Sequence, residues 1–181
     1  GFTATRLEDV AASVDIRAAT LLYYFPSKQA LYDEVDKTLY LDFEREIEET
    51  VTESDDPLIQ LTNLADSWLN FLYLRPTAAK IFQRNIAGET MNHPPREFHG
   101  RSTSSFRDLI LKGQSSSKFK NINPYHVLHI VGGSILSFIC IEQTVRPNAD
   151  DNLVSRESLE EFRATLHRVI RLLLGDLPNA S

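Results

Sequence analysis

The stretch TLLYYFPSKQAL, Thr20 to Leu31, sets five large apolar or aromatic residues in a row, Leu21 to Phe25, and follows them at once with proline, serine and lysine. One helix face can bury only about half of such a run. Phe25-Pro26 ends a short helix, because the residue before proline is pushed out of helical geometry. Ser27 then starts a longer one. Leu21 and Phe25, four residues apart, form an inner face, with Leu22 at its margin. Tyr23 and Tyr24 are left to point outward.

Upstream of this stretch, Thr5 is read as the cap of a first short helix carrying Leu7, Val10, Ala11 and Val14 at three- and four-residue intervals. Glu8, three residues beyond Thr5, completes a capping-box pattern. Asp15 and Ile16 make a tight break, since Asp tolerates turn geometry. A second short helix runs from about Arg17 or Ala18 to Tyr24. Two short helices around a tight turn form a helix-turn-helix, whose second helix enters the major groove. Ala18, Ala19, Thr20 and Tyr23 would be free to approach DNA, with small residues allowing the backbone close.

Downstream, the helix from Ser27 is expected to align Leu31, Val35, Leu39, Phe43 and Ile47 in one stripe. A linker follows at Thr52 to Pro57. Further helices are read at Leu58 to Leu72, Ala78 to Glu89, around Phe106 to Gly113, Pro124 to Thr144 and Ser158 to Leu174. Asn92 to Gly100, with Pro94 and Pro95, reads as a loop. Polar segments at Ser115 to Asn123 and Arg146 to Ser155 separate the later helices. The expected fold is all-α. A DNA-binding head with its connecting helix spans residues 1–50, with its core in 1–31, and a helical bundle spans residues 51–181.

The 181 residues are 42% hydrophobic and 24% charged with a net charge of −6, which fits a globular chain and excludes a polybasic coat. DNA binding would then rest on a local patch. A single cysteine, Cys140, permits no intrachain disulfide and favours a reducing cytoplasm. The opening GFTATRLEDV lacks the apolar core of a signal peptide. The richest apolar segment, Val127 to Ile141, is broken by Gly132, Gly133, Ser134 and Ser137, so no membrane partner is expected.

Residues 1–31 resemble the DNA-binding region of the tetracycline-repressor (TetR) family of transcriptional regulators. The resemblance rests on Gly1-Phe2, Thr5, Leu7, Val10-Ala11, Ile16, Thr20-Leu21, Tyr24-Phe25, Pro26-Ser27-Lys28 and Leu31, in that order without a gap. It implies that Thr5 reaches a phosphate while capping its helix, that Thr20 and Tyr24 lie at the DNA backbone, and that Tyr23 touches a base or phosphate. Arg17 and Lys28 would pair with phosphates, and Ala18 would allow close approach. It also implies a preceding helix, most of which lies before Gly1. The departures are Asp15 in place of a turn glycine, Arg17 of a serine cap, Ala18 of a lysine, Ala19 of a glycine and Leu22 of a phosphate-binding tyrosine. Arg6, Arg17 and Lys28 are balanced by Glu8, Asp9 and Asp15.

The bundle is expected to pair two copies and to hold an effector. Val127, Val131, Ile135, Leu166, Val169, Ile170 and Leu173 are the candidate homodimer face, on two helices with more apolar surface than one side can hide. A plain buried core is the alternative for the same residues. The resemblance agrees with pairing, since these dimers join their last two long helices. Gly132, Gly133 and Ser134 would let helices approach closely there. Trp68, Phe71, Phe82, Asn85, Ile86, Met91, Phe106, Ile110, His126 and Phe138 are candidates to line a site for a small hydrophobic or amphipathic effector. Ordinary core packing competes for each of them.

No metal is expected. Among His93, His99, His126, His129 and His167, only His126 and His129 share a helical spacing, and no Cys or carboxylate stands at ligand distance beside them. No cofactor is expected either, and no enzyme: the phosphate loop, dinucleotide fingerprint and nucleophile elbow are missing, and Cys140 lies in the apolar run FICI. The expected function is a cytoplasmic, bacterial, ligand-responsive repressor, nucleoid-associated when bound to a palindromic operator. A ligand-binding module of the same fold that has lost DNA binding is the alternative, on Asp15, Ala18 and Leu22.

Overall fold

The computed structural model describes residues 2–50, 54–87, 96–145 and 154–175, and all described regular structure is helical. A 3-10 turn at Phe2–Ala4 leads into α1 (Leu7–Ser13), α2 (Ala18–Tyr24) and α3 (Lys28–Thr50). Then come α4 (Pro57–Leu74), α5 (Pro76–Ile86), α6 (Arg96–Ser115), α7 (Pro124–Val145) and α8 (Arg156–Leu174). The chain forms two compact units, Gly1–Tyr40 and Leu41–Ser181.

In the first unit, α1 packs on α2 through Ala11 and Leu21, which are 1% and 7% exposed. The turn between them depends on Asp15, whose φ of 55° is the left-handed conformation that a glycine adopts at no cost. The Ile16 N–H closes the turn onto the Ala11 carbonyl at 3.0 Å. Phe25 caps α2 in extended geometry, with its N–H on the Leu21 carbonyl. The Ser27 hydroxyl accepts the Ala30 N–H at 3.0 Å, which starts α3 at the position the Pro-Ser-Lys sequence suggests. Two details differ from the sequence reading. The cap of α1 is Arg6 rather than Thr5 and makes no side-chain cap bond, although Glu8 and Asp9 do occupy the first turn. On α3, Val35 is exposed, while Asp36, Tyr40, Phe43 and Ile47 are buried. Strict four-residue steps drift around a helix of 3.6 residues per turn, whereas the 4, 3, 4 spacing of 36, 40, 43 and 47 holds one face.

In the second unit α4 is central, packing against α5, α6, α7 and α8. Asp56 caps it, accepting the Leu58 N–H at 2.8 Å, and Pro57 opens its first turn. The core draws on Leu61, Leu69 and Phe71 of α4, Ile110 of α6, Val131 of α7 and Ile170 of α8, all fully buried. Ser155 caps α8, and Gly175 ends it at a φ of 101°. Of the expected loop from Asn92 to Gly100, Arg96 to Gly100 are helical instead, since α6 begins at Arg96, and 92–95 lie outside the described residues.

One described helical segment, Pro124–Glu142, is long and apolar enough to cross a bilayer, so the glycines and serines do not break it as expected. Its Val127, Val131 and Ile135 are fully buried in this unit, and α7 packs on α4, α5, α6 and α8. That part of its apolarity serves a helical core, while Ile130 and Ile141 stay exposed.

Candidate nucleic-acid interface and effector core

The sequence of α2 sorts its residues to two sides. Leu21 is buried, whereas Tyr23 is 83% exposed, Tyr24 68% and Leu22 43%. Thr20 and Arg17 are exposed beside them, and Ala18 is half-buried at the helix start. The two tyrosine rings meet edge to face at 5.1 Å, which holds each against the other. Thr5 and Arg6 are also exposed at the start of α1. The unit thus presents hydroxyls, phenols and two guanidinium groups, suited to phosphate and base-edge contacts. Asp15 is exposed too, and Leu22 offers DNA only an apolar surface.

Lys28 is placed differently from the other candidates. Its ammonium donates to the carbonyls of Phe2, Thr3 and Thr5 at 2.7, 3.3 and 3.0 Å. It also stands 4.5 Å from the centre of the Phe2 ring.

In the second unit, a line of rings runs from α4 to α5 through α3. Phe43 contacts Trp68 at 5.7 Å and Phe71 at 5.2 Å, and Phe71 stacks on Phe82 at 6.4 Å. Sequence reasoning assigned Phe43 to the α3 stripe and missed it here. The Trp68 indole N–H is buried with no hydrogen-bond partner among the described residues. Asn85, Phe106 and Ile110 are buried, and Phe138 is stacked on Phe162 of α8 at 4.0 Å. Ile86 is 71% exposed and His126 is exposed, so neither belongs to this buried set, and Met91 lies outside the described residues.

The candidate pairing residues are also redistributed. Val127, Val131, Ile135, Leu166 and Ile170 are at most 2% exposed within one chain, so they form its own core and have no surface to offer a partner. Val169 and Leu173 stay half-buried. Gly132 is likewise internal, against the Trp68 ring, while a side chain at Gly133 would meet nothing. The outward face of α7 carries Ile130, Gly133, Ser137 and Ile141, and that of α8 carries Leu172.

Among the described residues, no three His, Cys, Asp or Glu side chains gather to hold a metal ion. His167 bonds Asp66 at 2.9 Å, while His126 and His129 stand exposed on α7. Burial pushes the Cys140 thiol up, against a weaker opposing effect of Lys80, the reverse of what an activated nucleophile needs.

In chain order, a helix-turn-helix head precedes an all-helical bundle. Residues 1–35 match the family model for bacterial regulatory proteins of the tetR family. No curated protein matches the chain in sequence. Among solved structures, the chain is similar to the fatty acid degradation regulator FadR from Bacillus halodurans, with a TM-score of 0.74 and 14% identity over 97% of this chain and 87% of that one. It is similar to FadR from Bacillus subtilis in complex with stearoyl-CoA, at 0.70 and 15% over 98% and 91%. The ketosteroid transcriptional regulator KstR2 of Mycobacterium tuberculosis matches at 0.69 and 16% over 93% and 86%. Residues 1–35 therefore carry a TetR-family N-terminal domain, and the chain shares the fold of these solved structures.

Proposed function

We propose that the protein is a cytoplasmic transcriptional repressor that binds a palindromic operator as a homodimer and is released by a small amphipathic effector. The observation that carries this reading is the division of α2, with Leu21 buried and Thr20, Tyr23 and Tyr24 outward, within a segment matching the tetR family model. Residues 1–50 act as the DNA-binding part and 51–181 as the effector and pairing part. Thr5, Arg17, Ala18, Thr20, Tyr23 and Tyr24 make the DNA contacts. Two copies set their recognition helices on successive major grooves, roughly 34–36 Å apart. Pairing uses the outward faces of α7 and α8, with Ile130, Ile141 and Leu172 at its centre and Val169 and Leu173 at its edge.

The effector displaces packing around Trp68, Phe71 and Phe82. An acceptor group on it meets the Trp68 indole N–H, which has no partner among the described residues. The stearoyl-CoA bound by the Bacillus subtilis neighbour is an amphipathic molecule of this general kind. Release requires that the effector bind the DNA-incompetent state more tightly than the other. The test is a gel shift and footprint on the DNA upstream of the protein's own gene. A twofold-symmetric protected segment is expected. No protection of any upstream duplex overturns the regulatory reading in favour of a ligand-binding module, the outcome that exposed Asp15 and Leu22 would favour.

A further inference from the structure

We infer that Lys28 acts on DNA binding as a positioning residue, clamping the lead-in to α1 instead of taking a phosphate; this rests on the DNA-binding reading above. An ammonium has three N–H donors and no more. Here three backbone oxygens, of Phe2, Thr3 and Thr5, surround it at 2.7–3.3 Å. They belong to the Phe2–Ala4 turn and to the residue that follows it. The Phe2 ring, 4.5 Å from the same ammonium, adds a cation–π contact. Tyr32, one helical turn beyond Lys28 on α3, meets the same ring edge to face at 5.1 Å. Lys28 and Tyr32 thus both hold Phe2, and through it the segment carrying exposed Thr5 and Arg6. A phosphate could claim the ammonium only by breaking these bonds.

The test compares Lys28→Met, Lys28→Arg and Phe2→Ala with the unaltered protein, on the upstream duplex across a range of KCl concentrations. A clamp predicts that Lys28→Met weakens binding about tenfold with the salt slope unchanged, and that Phe2→Ala in the same chain adds little further loss. Lys28→Arg does not rescue, because a planar fork cannot fill a pocket built for three converging bonds. A direct phosphate contact predicts the opposite: a slope smaller by about 0.9, full rescue by arginine and no effect of Phe2→Ala. Hydrogen exchange gives a readout independent of DNA. In Lys28→Met the Thr5 amide, bonded to the Phe2 carbonyl, should exchange faster, with α4 to α8 unchanged. Unchanged Thr5 exchange overturns the clamp. Failure of the unaltered protein to bind any duplex would overturn the regulatory reading alone, and the exchange result would still decide the clamp.

Discussion

Gly132 of α7 faces the Trp68 ring of α4 so closely that a Cβ there would lie 2.4 Å from the ring carbon Cη2. Real Cβ contacts do not reach that distance, so any side chain must push Trp68 or the helix away. Gly132→Ala should therefore destabilise the bundle by about 1–3 kcal/mol, outweighing the roughly 1 kcal/mol that alanine contributes to helix propensity. Gly133→Ala has open space around it and should stabilise the isolated chain by about 0.5–1 kcal/mol. Urea denaturation of the two variants checks both signs. Equal effects would refute the close approach.

Asp66 on α4 receives two partners from α8. Arg163 Nη1 reaches it at 3.0 Å and His167 Nε2 at 2.9 Å, while Arg163 Nη2 donates to Asn70 at 2.7 Å. The Asp66 and Arg163 side chains are only 23% and 19% exposed, so each would be left partly desolvated without the other. Asp66→Ala should cost about 1–3 kcal/mol, and a double-mutant cycle with Arg163→Ala should show clear non-additivity. Additive losses would mean that the two helices are held by apolar packing alone.

Asp56 gives the chain a pH-sensitive cap. The Leu58 N–H first, and then the Lys118 ammonium at 3.1 Å, hold its carboxyl below the ordinary value of 3.8. A depressed folded-state value contributes stability that is present above the unfolded value and lost as pH falls through the folded one. Asp56→Asn keeps a capping oxygen but cannot titrate. The melting-temperature difference between native protein and variant should hold near neutrality and shrink below about pH 4. A difference independent of pH would remove the charge from the account.

The head was legible because its signals are local. A left-handed position that Asp tolerates, a proline stop and a serine start fix α1, α2 and the beginning of α3 within about thirty residues. Features that depend on the whole fold were not legible in the same way. An α7 apolar on most sides does not say which side meets its own chain, so Val127, Val131 and Ile135 could be assigned to a partner when they are this unit's core. Lys28 is another case: its acceptors lie more than twenty residues upstream, and nothing in a basic residue beside a helix start reveals them. The buried Trp68 N–H was equally hidden, since whether a polar atom finds a partner depends on tertiary neighbours.

The split between fold and contact on α2 yields a paired prediction. Tyr23, 83% exposed, can be removed without touching the core, so Tyr23→Ala should melt like the native protein and bind the upstream duplex about tenfold more weakly. Leu21, 7% exposed, is the reverse: Leu21→Ala should cost about 2–5 kcal/mol and lose DNA binding through unfolding of the head. Thermal melts read beside gel shifts distinguish the two. If Tyr23→Ala melts early, or binds unchanged, the outward assignment of that ring fails.

The pairing face can be tested by the same contrast between outward and inward residues on one helix. Ile130 is 43% exposed and Leu172 52%, while Ile135 is fully buried. Ile130→Asp with Leu172→Asp places two carboxylates on the proposed interface, where like charges from each copy would meet undiluted by water. The chain should keep its helicity yet sediment as a monomer. Its affinity for an operator-containing duplex should fall by about 100-fold or more, because the second half-site is no longer linked to the first. Ile135→Asp should instead lose cooperative unfolding altogether, since a charge there enters the core of one chain. A double variant that remains dimeric would move the interface off this face of α7 and α8. A monomer that binds DNA at full affinity would show that operator recognition does not depend on pairing.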